Sequence, residues 1–193
     1  MNILITGSDG FIGKQLIKHL KINLDYKLFL VSRKKHIKQD NNINYIYADL
    51  QNNFNWNSIL KNIDVVIHLA ASQHKNKNFN KEYYWKVNYE ATKNLSQAIL
   101  NSNVKKFIHL STIKVFGEKN ISLSKIDRFS STFPADDYSL SKYEAENIII
   151  QNLQNSKVNY FILRIPIVYG PEPKGNFKLL ITLLNNFLPN PLI

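Results

Sequence analysis

The sequence contains no cysteine. Disulfides, thiolate catalysis and cysteine-based zinc or iron–sulfur sites are therefore excluded, and a reducing compartment suits the chain. No apolar run reaches the ~18 residues that a membrane-spanning helix requires. The N-terminus enters an apolar run at once, with no basic segment before it, so no signal peptide is expected. Internal repeats and low-complexity linkers are also missing. Acidic residues are scarce: 14 Asp and Glu stand against 25 Lys and Arg, a formal net charge of +11. The basic residues are spread along the chain, with one compact group, Arg33-Lys34-Lys35 followed by His36 and Lys38. A nucleic-acid surface would gather them on one element, so no nucleic-acid partner is expected, whereas attraction to anionic small molecules is. No His, Asp and Glu grouping has ligand spacing, and no metal is expected.

What is present suffices for a core. Hydrophobic residues make up 44% and aromatic residues 12% of 193 positions, about one ordinary domain. Short apolar runs alternate with helical periodicity. Strands are expected at Asn2 to Ile5, Lys27 to Val31, Asn44 to Tyr47, Asp64 to Leu69, Lys106 to Leu110 and Asn159 to Leu163. Helices are expected at Lys14 to Lys21, Glu82 to Ser102, Tyr138 to about Asn155 and Lys178 to Phe187. This alternation predicts an α/β fold, a Rossmann-type doubly wound parallel sheet with helices on both faces.

Between the first strand and helix stands Thr6-Gly7-Ser8-Asp9-Gly10-Phe11-Ile12-Gly13, a G-x-x-G-x-x-G run. Gly7 permits a tight turn, Gly10 lets the backbone approach a pyrophosphate, and Gly13 lets the helix pack close to the strand. The helix N-terminus then presents N–H groups to the anion. About 20 residues past the glycines, an Asp or Glu usually meets a free ribose 2′-hydroxyl. Here Ser32-Arg33-Lys34-Lys35 follows the second strand, with no acid. Arg33 is placed to pair with a 2′-phosphate, which favours NADP(H) over NAD(H); the alternative is a solvated basic loop. Asp49, before Leu50, either faces the adenine edge or caps the next turn. The run His68-Leu69-Ala70-Ala71 ends the fourth strand with small residues that would let it lie against a cofactor. His68, inside an apolar strand, reads as a packing histidine rather than a ligand. Asn88 sits among apolar neighbours and needs partners, either structural ones or an active-site water. Ser111 and Thr112 follow the fifth strand, where α/β sheets open their ligand crevice.

Tyr138 and Lys142 are spaced i, i+4 at the start of a helix, so both point to one side. A phenol ordinarily ionises near ~10, and a neighbouring ammonium lowers that value. Such a pair can exchange a proton with a hydroxyl or carbonyl while a hydride moves elsewhere. Alone, the spacing is weak, and two solvated residues on a helix would look the same.

Together these motifs resemble the extended short-chain dehydrogenase/reductases, the NAD(P)-dependent nucleotide-sugar epimerases, dehydratases and reductases. The resemblance runs from the glycine loop through Asp49-Leu50, His68 to Ala71, Val87-Asn88, Ser111-Thr112 and Tyr138 to Lys142. It ends in Arg164-Ile165-Pro166 with Val168-Tyr169-Gly170-Pro171. A narrower likeness, carried by residues 111 to 118 and Lys174-Gly175-Asn176-Phe177, is to UDP-sugar 4-epimerase-like proteins and 4-keto reductases of bacterial surface-polysaccharide clusters.

The resemblance implies a role for each matching residue. Tyr138 would be the acid/base, Lys142 would lower its pKa and hold the nicotinamide ribose, and Thr112 would hydrogen-bond the reacting oxygen beside Ser111. Asn88 would be structural. Gly7, Gly10, Phe11, Ile12, Gly13, Arg33, Asp49, Leu50, Leu69, Ala70, Ala71 and Pro166 would surround the cofactor, and Asn176 would contact the nucleotide diphosphate. It implies action at C4 of a UDP-hexose or UDP-N-acetylhexosamine derivative, a cytoplasmic setting and a homodimer. Residues 1–165 would form the NAD(P)-binding domain and 166–193 the start of an incomplete substrate region. Members of the family run longer, so a truncated chain that binds cofactor without turnover is the alternative expectation.

Overall fold

The computed structural model describes residues 1–35, 41–52, 54–73, 81–117, 125–127, 129–171 and 175–185; in the last segment, the side chains of residues 175–178 and 180 are not described. The apolar runs become six strands: β1 (Asn2–Thr6), β2 (Lys27–Ser32), β3 (Ile43–Tyr47), β4 (Val65–His68), β5 (Lys106–Thr112) and β6 (Asn159–Ile165). The sheet order is β3-β2-β1-β4-β5-β6, and every neighbouring pair is parallel. The helices are α1 (Phe11–Leu20), α2 (Asn57–Leu60), α3 (Lys81–Tyr84), α4 (Ala91–Leu100), α5 (Asp137–Leu153) and α6 (Gly175–Asn185). The short α2 has no counterpart in the sequence expectation.

Strands covered on both faces need apolar side chains on both, and β1 supplies them alternately. Ile3 and Ile5 join Leu28, Leu30, Val65 and Ile67 under Leu16, Ile17 and Leu20 of α1. Leu4 joins Val31, Val66 and Phe107 under Leu60 of α2, Leu95 and Ile99 of α4, and Ile149 and Leu153 of α5. Helices on opposite faces make the sheet doubly wound, as expected.

Element ends move by up to a few residues, and two changes bear on the site. β5 and β6 each run two residues further because Ser111 pairs with Arg164 and Thr112 with Ile165. Ser111 and Thr112 are thus the last residues of a strand rather than the first of a loop. The expected helix from Glu82 to Ser102 is interrupted: between α3 and α4 the turns of Trp85–Glu90 widen to a π-helix. Strand order reverses between β1 and β4, so the crevice where such sheets take ligands opens between the residue after β1, Gly7, and those after β4, Leu69 to Ala71.

Candidate active site

The glycine loop is shaped by close backbone packing. Gly7 has φ of 71°, and a Cβ there would lie 2.7 Å from the Ala70 nitrogen. Its carbonyl accepts the Gly10 N–H at 2.9 Å. A Cβ on Gly13 would lie only 2.3 Å from that carbonyl oxygen. No side chain caps α1 at Gly10, and its first turn carries no acid. The loop therefore offers close backbone approach and uncapped N–H groups of Phe11, Ile12 and Gly13, which fits a pyrophosphate.

A buried hydrogen-bond chain braces this loop from below. Thr92 Oγ1 donates to the Asn88 carbonyl at 2.6 Å, so His68 Nε2, 2.9 Å away, must be the donor to Thr92. His68 Nδ1 then accepts from Thr6 Oγ1 at 2.6 Å, and Thr6 Oγ1 accepts the Ala70 N–H at 3.2 Å. The tautomer follows from the partners. Burial, aided by the charge on Lys142, brings the His68 pKa down to about 3. His68 is thus a neutral packing histidine. Asn88, fully buried in the π-helical turns, accepts the Ser72 N–H at 2.8 Å and donates to the Ser72 carbonyl at 3.2 Å and to Ser141 Oγ at 2.9 Å. Its side chain ties the segment after β4 to α5, a structural role.

Helix α5 begins with a reciprocal cap. The Asp136 side chain accepts the Ser139 N–H at 2.6 Å, and Ser139 Oγ receives the Asp136 N–H at 3.1 Å. The cap fixes Tyr138 in the first turn, beside Thr112 at the C-terminal end of β5. The Tyr84 ring meets the Tyr138 ring edge-on at 6.2 Å, and Lys114 Nζ lies 5.9 Å from its centre.

The expected effect of Lys142 on this phenol is corrected by the structure. Burial pushes Tyr138 up to about 12; the Thr112 hydrogen bond opposes the rise, and the charge of Asp136 adds to it. Lys142 lies one turn on, 1% exposed, with Nζ 3.0 Å from His109 Nε2. Burial lowers Lys142 itself to about 7, against the charge of Glu146. Lys142 Nζ thus meets His109, and burial rather than Lys142 sets the direction of the phenol's shift.

Several residues in this region were not singled out in the sequence. Glu146, one turn beyond Lys142 and 1% exposed, accepts from Ser111 Oγ and from Arg164 Nε at 3.1 Å and its terminal nitrogen at 2.7 Å. The Arg164 guanidinium lies 4.8 Å from the Phe116 ring centre. Ser111 is thus a link in a buried ion pair joining β5, α5 and β6. His109 is fully buried and stacks on His68 at 5.3 Å. The repeated spacing of four in Tyr138, Lys142 and Glu146 was the available signal for Glu146. His109 follows from strand alternation, since Phe107, His109 and Ser111 share one face.

The remaining candidates spread around the same edge of the sheet. Asp49 caps its turn, accepting the Gln51 N–H at 3.1 Å, and Leu50 packs on the core. Leu69 packs on the α1 face of the sheet. Arg33 is exposed, with a guanidinium nitrogen 3.5 Å from the Tyr83 hydroxyl. Pro166 is exposed just after β6; further on, a Cβ at Gly170 would lie 3.5 Å from the Phe11 ring, so this segment returns to the start of α1. Asn176 lies in α6, and its side chain falls outside the described residues, as do Lys174, His36, Lys38 and Glu118. At the opposite edge of the sheet a cleft of about 380 Å³ is lined by Asn2, Lys27, Asp64 and Lys105. Its polar groups serve each other, Asp64 accepting from Lys105 at 3.3 Å and from the Asn2 N–H at 2.8 Å. Among the described residues, no helix is long and apolar enough to cross a membrane.

Comparison with known proteins agrees with this arrangement. A UDP-glucose 4-epimerase of Vibrio cholerae is 36% identical over 194 residues, which cover 98% of this chain and 58% of that protein. A dTDP-D-glucose 4,6-dehydratase of Dictyostelium discoideum is 30% identical over 192 residues, covering 88% of this chain and 44% of the relative. Among solved structures, a UDP-glucuronic acid 4-epimerase from Bacillus cereus in complex with NAD superposes with a TM-score of 0.82 at 28% identity, over 98% of this chain and 64% of that one. The chain thus spans less than two thirds of the length of these proteins. The NAD dependent epimerase/dehydratase family matches residues 3–190, and the chain belongs to that family.

Proposed function

We propose that this chain carries the cofactor and proton-transfer groups of a nucleotide-sugar oxidoreductase acting at C4 of a UDP-hexose, as a 4-epimerase or a 4-keto reductase. The observation that carries the reading is the placement of Tyr138, in the first turn of α5, beside Thr112, the last residue of β5, at the same end of the sheet as the glycine loop. The sugar class is supported by the Vibrio cholerae relative and by the Bacillus cereus 4-epimerase. A nicotinamide dinucleotide would be held by Gly7, Gly10, Gly13 and the start of α1, and it supplies or accepts the hydride when bound.

The remaining chemistry falls to side chains. With a pKa pushed up to about 12, Tyr138 holds its proton at neutral pH, so its first act is donation. Reduction of a 4-keto sugar uses it that way, the C4 oxygen taking the phenol proton while Thr112 hydrogen-bonds the same oxygen. Epimerisation begins with the reverse transfer, the phenolate taking the C4 hydroxyl proton. Lys142, brought down to about 7 by burial, gains or loses a proton near neutrality beside His109. A homodimer in the cytoplasm belongs to the same reading.

A second reading is favoured by the span of 58% of the Vibrio cholerae relative: the chain binds cofactor without turning over a sugar. Incubation with UDP-sugars and UDP-4-keto sugars in the presence of NADH or NADPH separates the two. Under the first reading, sugar product forms and Tyr138→Phe slows it by ~10²-fold or more, while cofactor titration is unchanged. Cofactor binding with no product, from this chain and from one extended to the length of its relatives, removes the enzymatic reading.

A further inference from the structure

The expectation of NADP(H) rested on the lack of an acid after β2, but the fold brings one there from elsewhere. Ser32 is the last residue of β2 and is buried. Its hydroxyl donates to Oδ2 of Asp9, the residue before Gly10 in the glycine loop, and it accepts the Lys34 N–H at 2.8 Å. The preceding loop residue is tied to the same strand, Ser8 Oγ donating to the Val31 carbonyl at 2.9 Å. Two consecutive loop side chains thus hold the loop onto the end of β2. A half-buried carboxylate stands where dinucleotide-binding folds meet the adenosine ribose. Arg33, the basis of the opposite expectation, is exposed and reaches the Tyr83 hydroxyl.

We propose that Asp9, positioned by Ser32, takes the place of the strand-end acid: its carboxylate accepts a hydrogen bond from the ribose 2′-hydroxyl, and the chain selects NAD(H) over NADP(H). The physical reason is the sign of charge. A carboxylate is a pure acceptor, matched to a hydroxyl, and it repels a 2′-phosphate. Its half-burial limits screening by salt. The inference rests on the dinucleotide reading of the glycine loop.

The test titrates NADH and NADPH by fluorescence into the full chain and into Asp9→Asn, Ser32→Ala and Arg33→Ala, with thermal melting as the folding control. Wild type is expected to bind NADH at least tenfold tighter than NADPH. Asp9→Asn, nearly isosteric, should narrow that ratio at least fivefold, weakening NADH and strengthening NADPH. Ser32→Ala should narrow it in part, and Arg33→Ala should change it less than Asp9→Asn does. Displacement of NADH from wild type by ADP and by 2′,5′-ADP needs no variant, and ADP should be the stronger competitor. Equal or tighter binding of NADPH by wild type, or an unchanged ratio in folded Asp9→Asn, overturns the assignment while leaving the dinucleotide site standing. Failure of both cofactors to bind overturns the dinucleotide reading, and this inference with it.

Discussion

Gly13 is a residue at which the loop has no room for a side chain. It is helical, so alanine there would gain up to ~1 kcal/mol in helix propensity. Against that, the added Cβ would lie 2.3 Å from the Gly7 oxygen and 3.0 Å from the Ser8 oxygen. Both are backbone atoms of a turn pinned by the Gly10-to-Gly7 hydrogen bond of 2.9 Å, so no rotamer change relieves the clash. Overpacking of this kind costs ~1–3 kcal/mol and sometimes more, which outweighs the propensity gain. Gly10 is different: its Cβ would meet only the Gly7 oxygen, at 3.0 Å. In urea unfolding, Gly13→Ala is therefore expected to lower stability by ~2 kcal/mol or more and Gly10→Ala by clearly less. Equal losses would show that the turn relaxes as a unit. The turn at Gly7 and the close packing at Gly13 were legible from spacing alone because each depends on local backbone. The role of Asp9 was not, because its partner Ser32 comes from the next strand.

Helix α5 carries the densest chemistry, and it violates the usual pattern for a core-facing helix. Its buried face holds Ser139, Ser141, Lys142 and Glu146 beside Ala145, Ile149 and Leu153. Lys142 and Glu146 have the i, i+4 spacing of a surface ion pair, yet in the fold each is buried against a separate partner, His109 and Arg164. This is why the strands were legible and the polar network was not. A continuous apolar run announces a buried strand by itself, whereas a buried charge is acceptable only through a partner distant in sequence. The π-helical turns at Asn88 are hidden for the same reason, since their reward is a bond to Ser72. The Glu146–Arg164 pair lets the two sides of such a contact be compared. The Glu146 side chain is 1% exposed and that of Arg164 25%. Arg164→Met strands a buried carboxylate and is expected to cost ~3–5 kcal/mol. Glu146→Gln leaves a guanidinium that reaches water and still lies over Phe116, so its cost should be at least ~1 kcal/mol smaller. Denaturant midpoints with unchanged slopes would check this, and the reverse ranking would mean that the arginine, not the glutamate, depends on the pair.

At the scale of the whole molecule, buried basic groups should set the pH range of stability. His68 and His109 are stacked and fully buried between the sheet and its helices. Burial is the first cause that lowers each of them, with the Lys142 charge next; His68 falls to about 3 and His109 well below the usual range. The unfolded chain regains protons near ~6.5, so below that pH it binds more protons than the fold. Stability is therefore whole above ~6.5 and is lost as pH falls toward the folded values. Lys142 acts in the same sense in another window. Its folded value of about 7 lies below the ordinary 10.5, so stability rises further as pH climbs between those two values. Carboxylates titrate near ~4, which leaves pH 6 to 5 as an interval in which the histidines dominate. As each unfolded histidine becomes protonated, the slope approaches ~1.4 kcal/mol per pH unit, or roughly twice that for the pair. His109→Phe keeps a ring against His68 and Phe107 and removes one titrating group; it also removes the Nε2 that Lys142 Nζ meets at 3.0 Å, which lowers stability at both pH values. The fall in urea stability from pH 6 to 5 should then be about half that of wild type. The formal net charge of +11 adds a general repulsion at low pH, but salt screens that part and leaves the buried groups little affected. Measured in high salt, the halved slope should persist. An identical slope in the variant would mean that His109 is protonated in the fold, with Lys142 giving up its proton instead.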